Sequence, residues 1–541
     1  MTVKRYALRR SACLMVLLGG ILAFLAPGAA FAQAQADPMV QKTVRPAENM
    51  EPVIPHPNQA AEAKAKLAAL EKKLGKKPNI LIYLMDDVGW SDPGVFGGGP
   101  AVGAPTPVMD KLGHEGLLLT STYAQPSCSP TRATILTGRL PMRTGVLYPP
   151  MYGEKGGLEG EITIADVLGK AGYVTQAVGK WHCGENTGSQ PQNVGFDDFY
   201  GFLSVSDMYT EWRDSYFFPE IVESPERTEM VKNFPFDRHF VHAKKGGTIE
   251  DLDEVTIPIS ATLDEKWANY SVDFLKKMAK SDKPWFLYHC TRGAHFDNYP
   301  NEKFKGKSPA KHPYKDVMME LDDILGRLVK TLQETGQLDN TLIFITSDNG
   351  PEMETWPDCG TTAFRGAKGN TWEGGVRVPG IVYWKGMIAQ GRVSDGLFDL
   401  ADLFTTSASL AGAKDQLPKD RFIDGVDQTS FLLADAGESN RRAVYYWLMS
   451  FPSALRIGEF KIMYVSESDD QRDTYNSGGF SGVVQEYSFP RFYNLYMDPK
   501  ETHSYFIRKL AYETVLRDAF KEHLATFVKY PPKKPIGKPS M

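Results

Sequence analysis

Two acidic pairs carry the first hint of chemistry in this chain. Asp86-Asp87 directly follows the apolar run Asn79–Met85, and Asp348-Asn349-Gly350 follows the run that begins at Thr341. Adjacent carboxylates at a strand end repel each other unless a cation offsets them. Three carboxylates and an amide are hard oxygen donors, suited to calcium or magnesium rather than zinc. Each pair alone reads as ordinary turn-forming Asp and Asn. Both pairs at strand ends of one α/β sheet favour a metal site.

The second stretch is Cys128-Ser-Pro-Thr-Arg132-Ala-Thr-Ile-Leu-Thr-Gly138-Arg139. Pro130 suits the first turn of a helix, where its missing N–H costs nothing. The residues just before it then lie at the positive helix end, a favourable place for an anion or an anionic nucleophile. Arg132, one turn in, can reach back to the same point. On spacing alone Cys128 is equally a small buried hydrophobe and a nucleophile. Lys180 and His182 lie two apart after another apolar stretch, so they share a face if the backbone is extended. His182 and His295 taken singly read as satisfied structural histidines, and Lys180 and Lys368 as solvated lysines.

The elements that must position these groups are legible as alternating patterns. Continuous apolar runs at 79–85, 173–178, 285–288 and 341–346 predict strands buried on both faces. Between the last two, Met318, Leu321, Ile324, Leu325, Leu328 and Leu332 recur at helical spacing. Alternation of strand and helix predicts an α/β domain with a large mixed, mostly parallel sheet flanked by helices. In such sheets sites form beyond the carboxyl ends of the strands, where three of the four clusters fall. Residues 207–254, charged and aromatic with little periodicity, read as a long surface insertion. After about residue 433 short strands at 443–448, 454–457 and 460–465 and a helix over 504–530 predict a smaller C-terminal α+β domain.

The 541 residues carry 42% hydrophobic and 23% charged side chains, ordinary for a protein with a large core. A formal net charge of −5 leaves no basic footprint, which argues against a nucleic-acid partner. Lys4, Arg5, Arg9 and Arg10, an apolar run and Ala30-Phe31-Ala32 predict a cleaved export signal over 1–32 rather than a membrane helix. Arg9-Arg10 is compatible with twin-arginine as well as Sec export to the periplasm or beyond. Residues 33–77 read as an N-terminal extension with a helix over 60–74, residues 78–432 as the catalytic domain, and 433–541 as the C-terminal domain and tail. Cleavage leaves Cys128, Cys183, Cys290 and Cys359, neither a disulfide framework nor a zinc pattern.

Cys128, Pro130, Arg132 and Thr137-Gly138 fit C-x-P-x-R-x(4)-T-G, and here the chain resembles the sulfatase family. The second sulfatase signature has its counterpart in Gly172-Tyr-Val-Thr-Gln-Ala-Val-Gly-Lys180-Trp-His182. Further similarity runs through Ser347-Asp348-Asn349-Gly350, Gly293-Ala-His295, Arg365-Gly-Ala-Lys368-Gly, Glu373-Gly-Gly-Val-Arg-Val-Pro379 and Tyr493-Asn-Leu-Tyr-Met-Asp-Pro-Lys-Glu501. The resemblance spans most of residues 78–505. It implies that Cys128 is oxidised to formylglycine by a separate maturation enzyme. One hydroxyl of the aldehyde hydrate then attacks sulfur and expels the alcohol; the second collapses to the aldehyde and ejects sulfate. It also implies calcium, with magnesium as the substitute, on Asp86, Asp87, Asp348, Asn349 and the modified Cys128. Arg132 would support the nucleophile, Lys180 and His182 the hydrate and sulfate, and His295 and Lys368 the leaving oxygen, with His295 as general acid. Ser206, with Ser204 as the alternative, matches a further substrate-binding serine, and Cys183 has no assigned role.

The implied activity is hydrolysis of sulfate monoesters, aryl sulfates as model substrates, on a small molecule or glycan. A phosphonate monoester or phosphodiester hydrolase of the same superfamily is the nearest alternative, since these esters share tetrahedral, in-line chemistry. An exported anion-binding protein without turnover is the other. Aromatics at Tyr209, Trp212, Tyr216 and Trp356 are candidates for a ring-binding pocket.

Overall fold

The continuous apolar runs become central strands because both faces of the sheet are covered. In the computed structural model, residues 37–150, 153–154, 156–234, 238–467 and 482–535 are described; the expected export signal lies outside them. Along β1 (Asn79–Met85), Ile80, Ile82 and Leu84 join one hydrophobic cluster, while Leu81, Tyr83 and Met85 join another on the opposite face. With both faces dry, no polar alternation is left to see.

The remaining strands of this sheet are β2 (Leu117–Tyr123), β3 (Val174–Lys180), β4 (Asp198–Phe202), β5 (His239–Lys244) and β6 (Glu250–Glu254). They are followed by β7 (Trp285–Cys290), β8 (Thr341–Ser347), β9 (Arg377–Tyr383), β10 (Arg392–Ser394) and β11 (Phe398–Asp399). The order is β10-β2-β9-β8-β1-β7-β3-β4-β5-β6, with β11 also on β2. Strands β8, β1, β7, β3 and β4 form a parallel centre. Antiparallel β9 joins β8 to β2, and β5 and β6 extend the far edge antiparallel. This is the mixed, mostly parallel sheet expected. Helices Leu263–Met278 and Pro313–Glu334 cover one face. Helices Cys128–Thr137, Ile164–Lys170 and Asp402–Leu410 cover the other, joined by Ala63 of helix Pro57–Leu74.

Residues 207–254 depart from the surface insertion expected. Short helices fill 207–232, but Phe240, Val241 and Ala243 of β5 are buried and the segment continues the main sheet. The acidic β6 is exposed along its whole length, so its pairing leaves no hydrophobic trace. It is held by backbone hydrogen bonds and its register on β5, which a composition reading does not register.

A second sheet follows in the order β12 (Ala443–Leu448), β13 (Phe451–Ile457), β14 (Phe460–Glu467) and β15 (Val484–Asn494), all antiparallel. The expected C-terminal α+β layer is therefore present. Its helix begins at Leu510, after a short turn Phe506–Arg508, rather than at residue 504. That helix covers one face of the small sheet through Leu516, Ala519 and Phe520. The other face packs Tyr446, Ala454, Met463 and Tyr493 against Tyr123, Trp372 and Val376 of the main body.

Glu373 lies at the centre of this joint. It accepts hydrogen bonds from Tyr123 Oη at 2.7 Å and Tyr446 Oη at 3.1 Å. Lys461 of β14 pairs with Glu373 at 3.1 Å and with Glu501 at 2.8 Å, all three fully buried. Burial opposes ionisation of Glu373, but Lys461, Arg456 and Arg377 outweigh it and hold the carboxyl down to about 2. A depressed carboxyl stabilises the fold above its unfolded pKa of about 4.3, and that contribution is lost as pH falls toward the folded value. Lys461→Met leaves the buried Glu501 carboxyl without its cation and Glu373 with only Arg377 and Arg456, at 3.5 and 3.8 Å, and should cost about 3–5 kcal/mol in urea unfolding. A loss below about 1 kcal/mol would show that the ion cluster does not hold the sheets together.

Candidate functional site

The parallel strands deliver their C-terminal residues to one edge of the sheet. Asp86 and Asp87 leave β1, Lys180 ends β3 with His182 just beyond, His295 follows β7, and Asp348 and Asn349 leave β8. Gly179 has φ 95°, and a Cβ there would lie 1.7 Å from the Cys290 carbonyl oxygen, so only glycine lets β3 close on β7 and aim Lys180 inward. Asp87 and His182 sit at φ 57° and 53°, a left-handed conformation that costs a non-glycine residue about 1–2 kcal/mol.

Cys128 reaches the same edge shortly after β2, which runs in the direction of β8 because both are antiparallel to β9, and is the first residue of helix Cys128–Thr137. Ser127 is extended before it, Pro130 lies in the first turn, and Gly138 closes the helix at φ 67°. Every residue of this helix is buried. Cys128 Sγ and single ligand atoms of Asp86, Asp87 and His295 all lie within 4.8 Å of one another.

Cations surround these groups. Lys180 Nζ donates to Asp86 Oδ2 at 2.6 Å, and Lys368 Nζ to Asp87 Oδ2 at 2.8 Å. Arg132 Nε and Nη2 both donate to Asp348 Oδ2, at 3.0 and 2.7 Å, and its Nη1 reaches the Lys180 carbonyl at 2.8 Å. Arg132 thus fixes Asp348 and the end of β3. Asp348 Oδ1 accepts the Asp87 N–H at 3.2 Å, and Asn349 Nδ2 donates to Asp87 Oδ1 at 2.7 Å. Among the described residues, Asp86 Oδ1 and Asn349 Oδ1 are buried oxygens without a hydrogen-bond partner.

Those orphaned oxygens, beside the carboxyl groups of Asp86 and Asp87, fit a hard divalent cation such as calcium or magnesium. Asp348 stands outside the close ligand group, with Arg132 occupying its Oδ2.

Burial dominates the ionisation of the site. It pushes the Cys128 thiol up to about 12, although Lys180 and Lys368 pull it down, so helix-end chemistry alone does not make a thiolate here. For Asp348 burial is overcome by Arg132 and then Lys180, which hold the carboxyl below its usual value. Burial, Lys368 and Lys180 drive His295 well below the usual imidazole range. His295 Nδ1 lies 2.7 Å from the Phe296 carbonyl, an acceptor, so Nδ1 carries the proton. Its Nε2 then accepts from Lys368 Nζ at 3.2 Å. Burial, Lys180 and Arg132 likewise hold His182 neutral, with the Pro150 carbonyl opposing them.

Of the residues singled out from sequence, Cys128, Arg132, Lys180, His182, His295, Lys368 and the two acidic pairs are brought to this one edge. Ser206 lies 3.4 Å from His295 Nδ1 and donates to the Phe296 carbonyl at 3.4 Å, on the protonated side of the imidazole. Ser204 instead donates its backbone N–H to Tyr209 Oη. Two residues were missed. Glu352 approaches Lys368 at 3.7 Å, and its place three residues after Asn349 in a strand-end loop was the available signal. Asp264 accepts the N–H groups of Arg292 and Gly293 at 2.8 and 3.0 Å, shaping the loop that carries His295. It comes from a helix with nothing local to mark it.

Burial, then the Asp348 carboxylate, push Asp86 up to about 8 against Lys180 and Arg132. The cation-free fold therefore holds a proton that the unfolded chain has lost, and its stability falls as pH rises from about 4 to 8. A divalent cation must displace that proton, so calcium affinity should rise with pH over this range, with release of about one proton near pH 6.5. Calorimetry in two buffers of different ionisation enthalpy reads the release, and Asp86→Asn should remove it. Binding heat independent of buffer would contradict this account.

The sulfatase family pattern matches residues 78–413, and the pattern described as putative sulfatase AslA C-terminal domain matches 453–528. N-acetylgalactosamine-6-sulfatase of Canis lupus familiaris is 34% identical over 396 residues, 71% of each chain. Arylsulfatase G of the same species is 31% identical over 447 residues, covering 79% of this chain and 81% of that protein. The crystal structure of PsFucS1 sulfatase from Pseudoalteromonas sp. superposes with a TM-score of 0.87 at 43% identity, over 92% of this chain and 99% of that one.

Proposed function

The chain belongs to the sulfatase family and is a sulfuric ester hydrolase, and we propose that it acts through formylglycine formed from Cys128, on a calcium ion at the Asp86-Asp87 edge. The observation that carries this reading is the convergence of Cys128, Asp86, Asp87 and His295 within 4.8 Å. A buried thiol raised to about 12 is a poor nucleophile, which supports reading Cys128 as a precursor. The hydrated aldehyde would supply two hydroxyls, one to attack and one to release sulfate, and the cation would lower its pKa and offset sulfate charge.

The remaining chemistry is assigned to this chain's own side chains. Lys180 and Lys368 are ammonium groups pinned by Asp86 and Asp87, and each retains donors for a sulfate oxygen. His182 lies beside the same charges. Arg132 keeps Asp348 ionised and the Lys180 backbone fixed, so the sulfate-binding groups are rigid before substrate arrives. A sulfate anion opposes the cations that keep His295 neutral, so His295 Nε2 takes a proton from solvent as substrate binds, Lys368 staying an ammonium, and passes it to the leaving oxygen. Asn349 joins Asp86, Asp87, Asp348 and residue 128 as a cation ligand, and Ser206 steadies His295 for substrate. Aryl sulfates serve as model substrates; the relatives, an arylsulfatase and an N-acetylgalactosamine-6-sulfatase, support both aryl and sugar esters. The basic and apolar N-terminal 32 residues support export, and a separate maturation enzyme is required as partner. Among the described residues no helix is long and apolar enough to cross a membrane.

Mass spectrometry of the tryptic peptide containing residue 128 should show a loss of about 18 Da, from exchange of CH₂SH for CHO. Cys128→Ala should abolish 4-nitrophenyl sulfate turnover with an unchanged unfolding midpoint. An intact thiol in fully active enzyme would overturn the mechanism, and preference for an aryl phosphonate or phosphodiester would overturn the substrate reading. His295→Ala should slow an alkyl sulfate about 10²–10⁴-fold but 4-nitrophenyl sulfate far less, because a nitrophenoxide leaves without a proton. Equal losses on both substrates would remove His295 as the acid.

A further inference from the structure

Lys368 is paired with two carboxylates, Asp87 in the cation site and Glu352 outside it. Its ammonium has three N–H donors. One goes to Asp87 Oδ2 at 2.8 Å and one to His295 Nε2 at 3.2 Å. Glu352 Oε2 lies 3.7 Å from the same nitrogen, close enough for an ion pair but too far for a direct hydrogen bond. Glu352 therefore attracts the ammonium without consuming its third donor, which stays open to another oxygen.

Glu352 is fixed in place. It is buried, its Oε1 accepts the Glu354 N–H at 3.2 Å, and its carbonyl accepts from Thr355 Oγ1 at 3.0 Å. The loop that carries it is tied to the loop that carries Lys368: the Lys368 N–H donates to the Pro351 carbonyl at 3.0 Å, and the Gly350 N–H to the Gly375 carbonyl at 2.9 Å. Burial raises the Glu352 carboxyl to about 7 against the pull of Lys368, and Asp87 and Glu354 repel it further. A buried carboxylate among anions, held by one long ion pair, adds little to stability. Its effect falls on Lys368 and on whatever Lys368 binds.

In the sulfatase reading, on which this step rests, the open donor of Lys368 takes a sulfate oxygen. A carboxylate fixed beside that lysine competes for the ammonium and repels the bound anion. Coulomb repulsion scales with charge, so it bears harder on the inorganic sulfate dianion than on the ester, a monoanion. We infer that Glu352 is a positioning residue that weakens the grip of Lys368 on the product dianion more than on the substrate, and so promotes release of sulfate.

The test measures KM for 4-nitrophenyl sulfate and Ki for sodium sulfate on matured enzyme at constant ionic strength. A pH of about 8 keeps the Glu352 carboxyl mostly ionised. Glu352→Gln should lower Ki by about 10-fold or more and KM by less, so that Ki/KM falls. Glu352→Ala should act in the same direction, and Glu352→Asp, which keeps the charge, should stay within about threefold of wild type. A packing role alone would raise both constants or leave their ratio fixed. Calorimetric titration with sulfate gives the product affinity without turnover, so an inactive variant still reports. A sulfate affinity unchanged or weakened in both neutral variants, or an unmoved Ki/KM, overturns the inference while leaving the sulfatase reading in place. Failure of matured wild-type enzyme on every sulfate ester would sink the sulfatase reading, and this inference with it.

Discussion

The arrangement depends on balancing buried charge at the edge of a parallel sheet. Asp86, Asp87 and Asp348 are withdrawn from water together with Arg132, Lys180 and Lys368. Removing such groups from water is costly unless each is paired and hydrogen-bonded. The pairing is specific: Lys180 on Asp86, Lys368 on Asp87, Arg132 on Asp348. It leaves a small residue of unmet demand in Asp86 Oδ1 and Asn349 Oδ1, and that residue is where a cation gains most.

The same balance explains why the site is rigid before any ligand binds. Arg132 spans three elements, linking the Cys128 helix to the β8 end through Asp348 and to the β3 end through the Lys180 carbonyl. Gly179 lets the strands close enough for that span. A loosened Arg132 would release the Cys128 helix, one carboxylate and one lysine together, so its role is positional as much as electrostatic. The second sheet repeats the device on a larger scale, with Lys461 between Glu373 and Glu501 joining it to the main body beside the loop that carries Lys368.

His295 shows how burial and function meet. Its neutral form follows from its cationic neighbours and a dry environment, and its proton sits on the side facing Phe296 and Ser206. The face toward Lys368 is left to respond to whatever anion enters.

Much of this was determined by the sequence itself. Strand runs buried on both faces are continuous and apolar, so β1, β7 and β8 were readable, as was a helix with Pro130 in its first turn. Signature spacing named Cys128, Arg132, Lys180, His182, His295 and Lys368. Only the tertiary structure decided which lysine holds which carboxylate, that Arg132 Nε and Nη2 both donate to one oxygen of Asp348, and which side of His295 keeps the proton. It also decided that β6, wholly exposed and acidic, is a strand, and that Asp264 and Glu352 belong around the site. Local pattern records propensity and burial; pairing between residues far apart in the chain depends on sheet order and strand-end geometry.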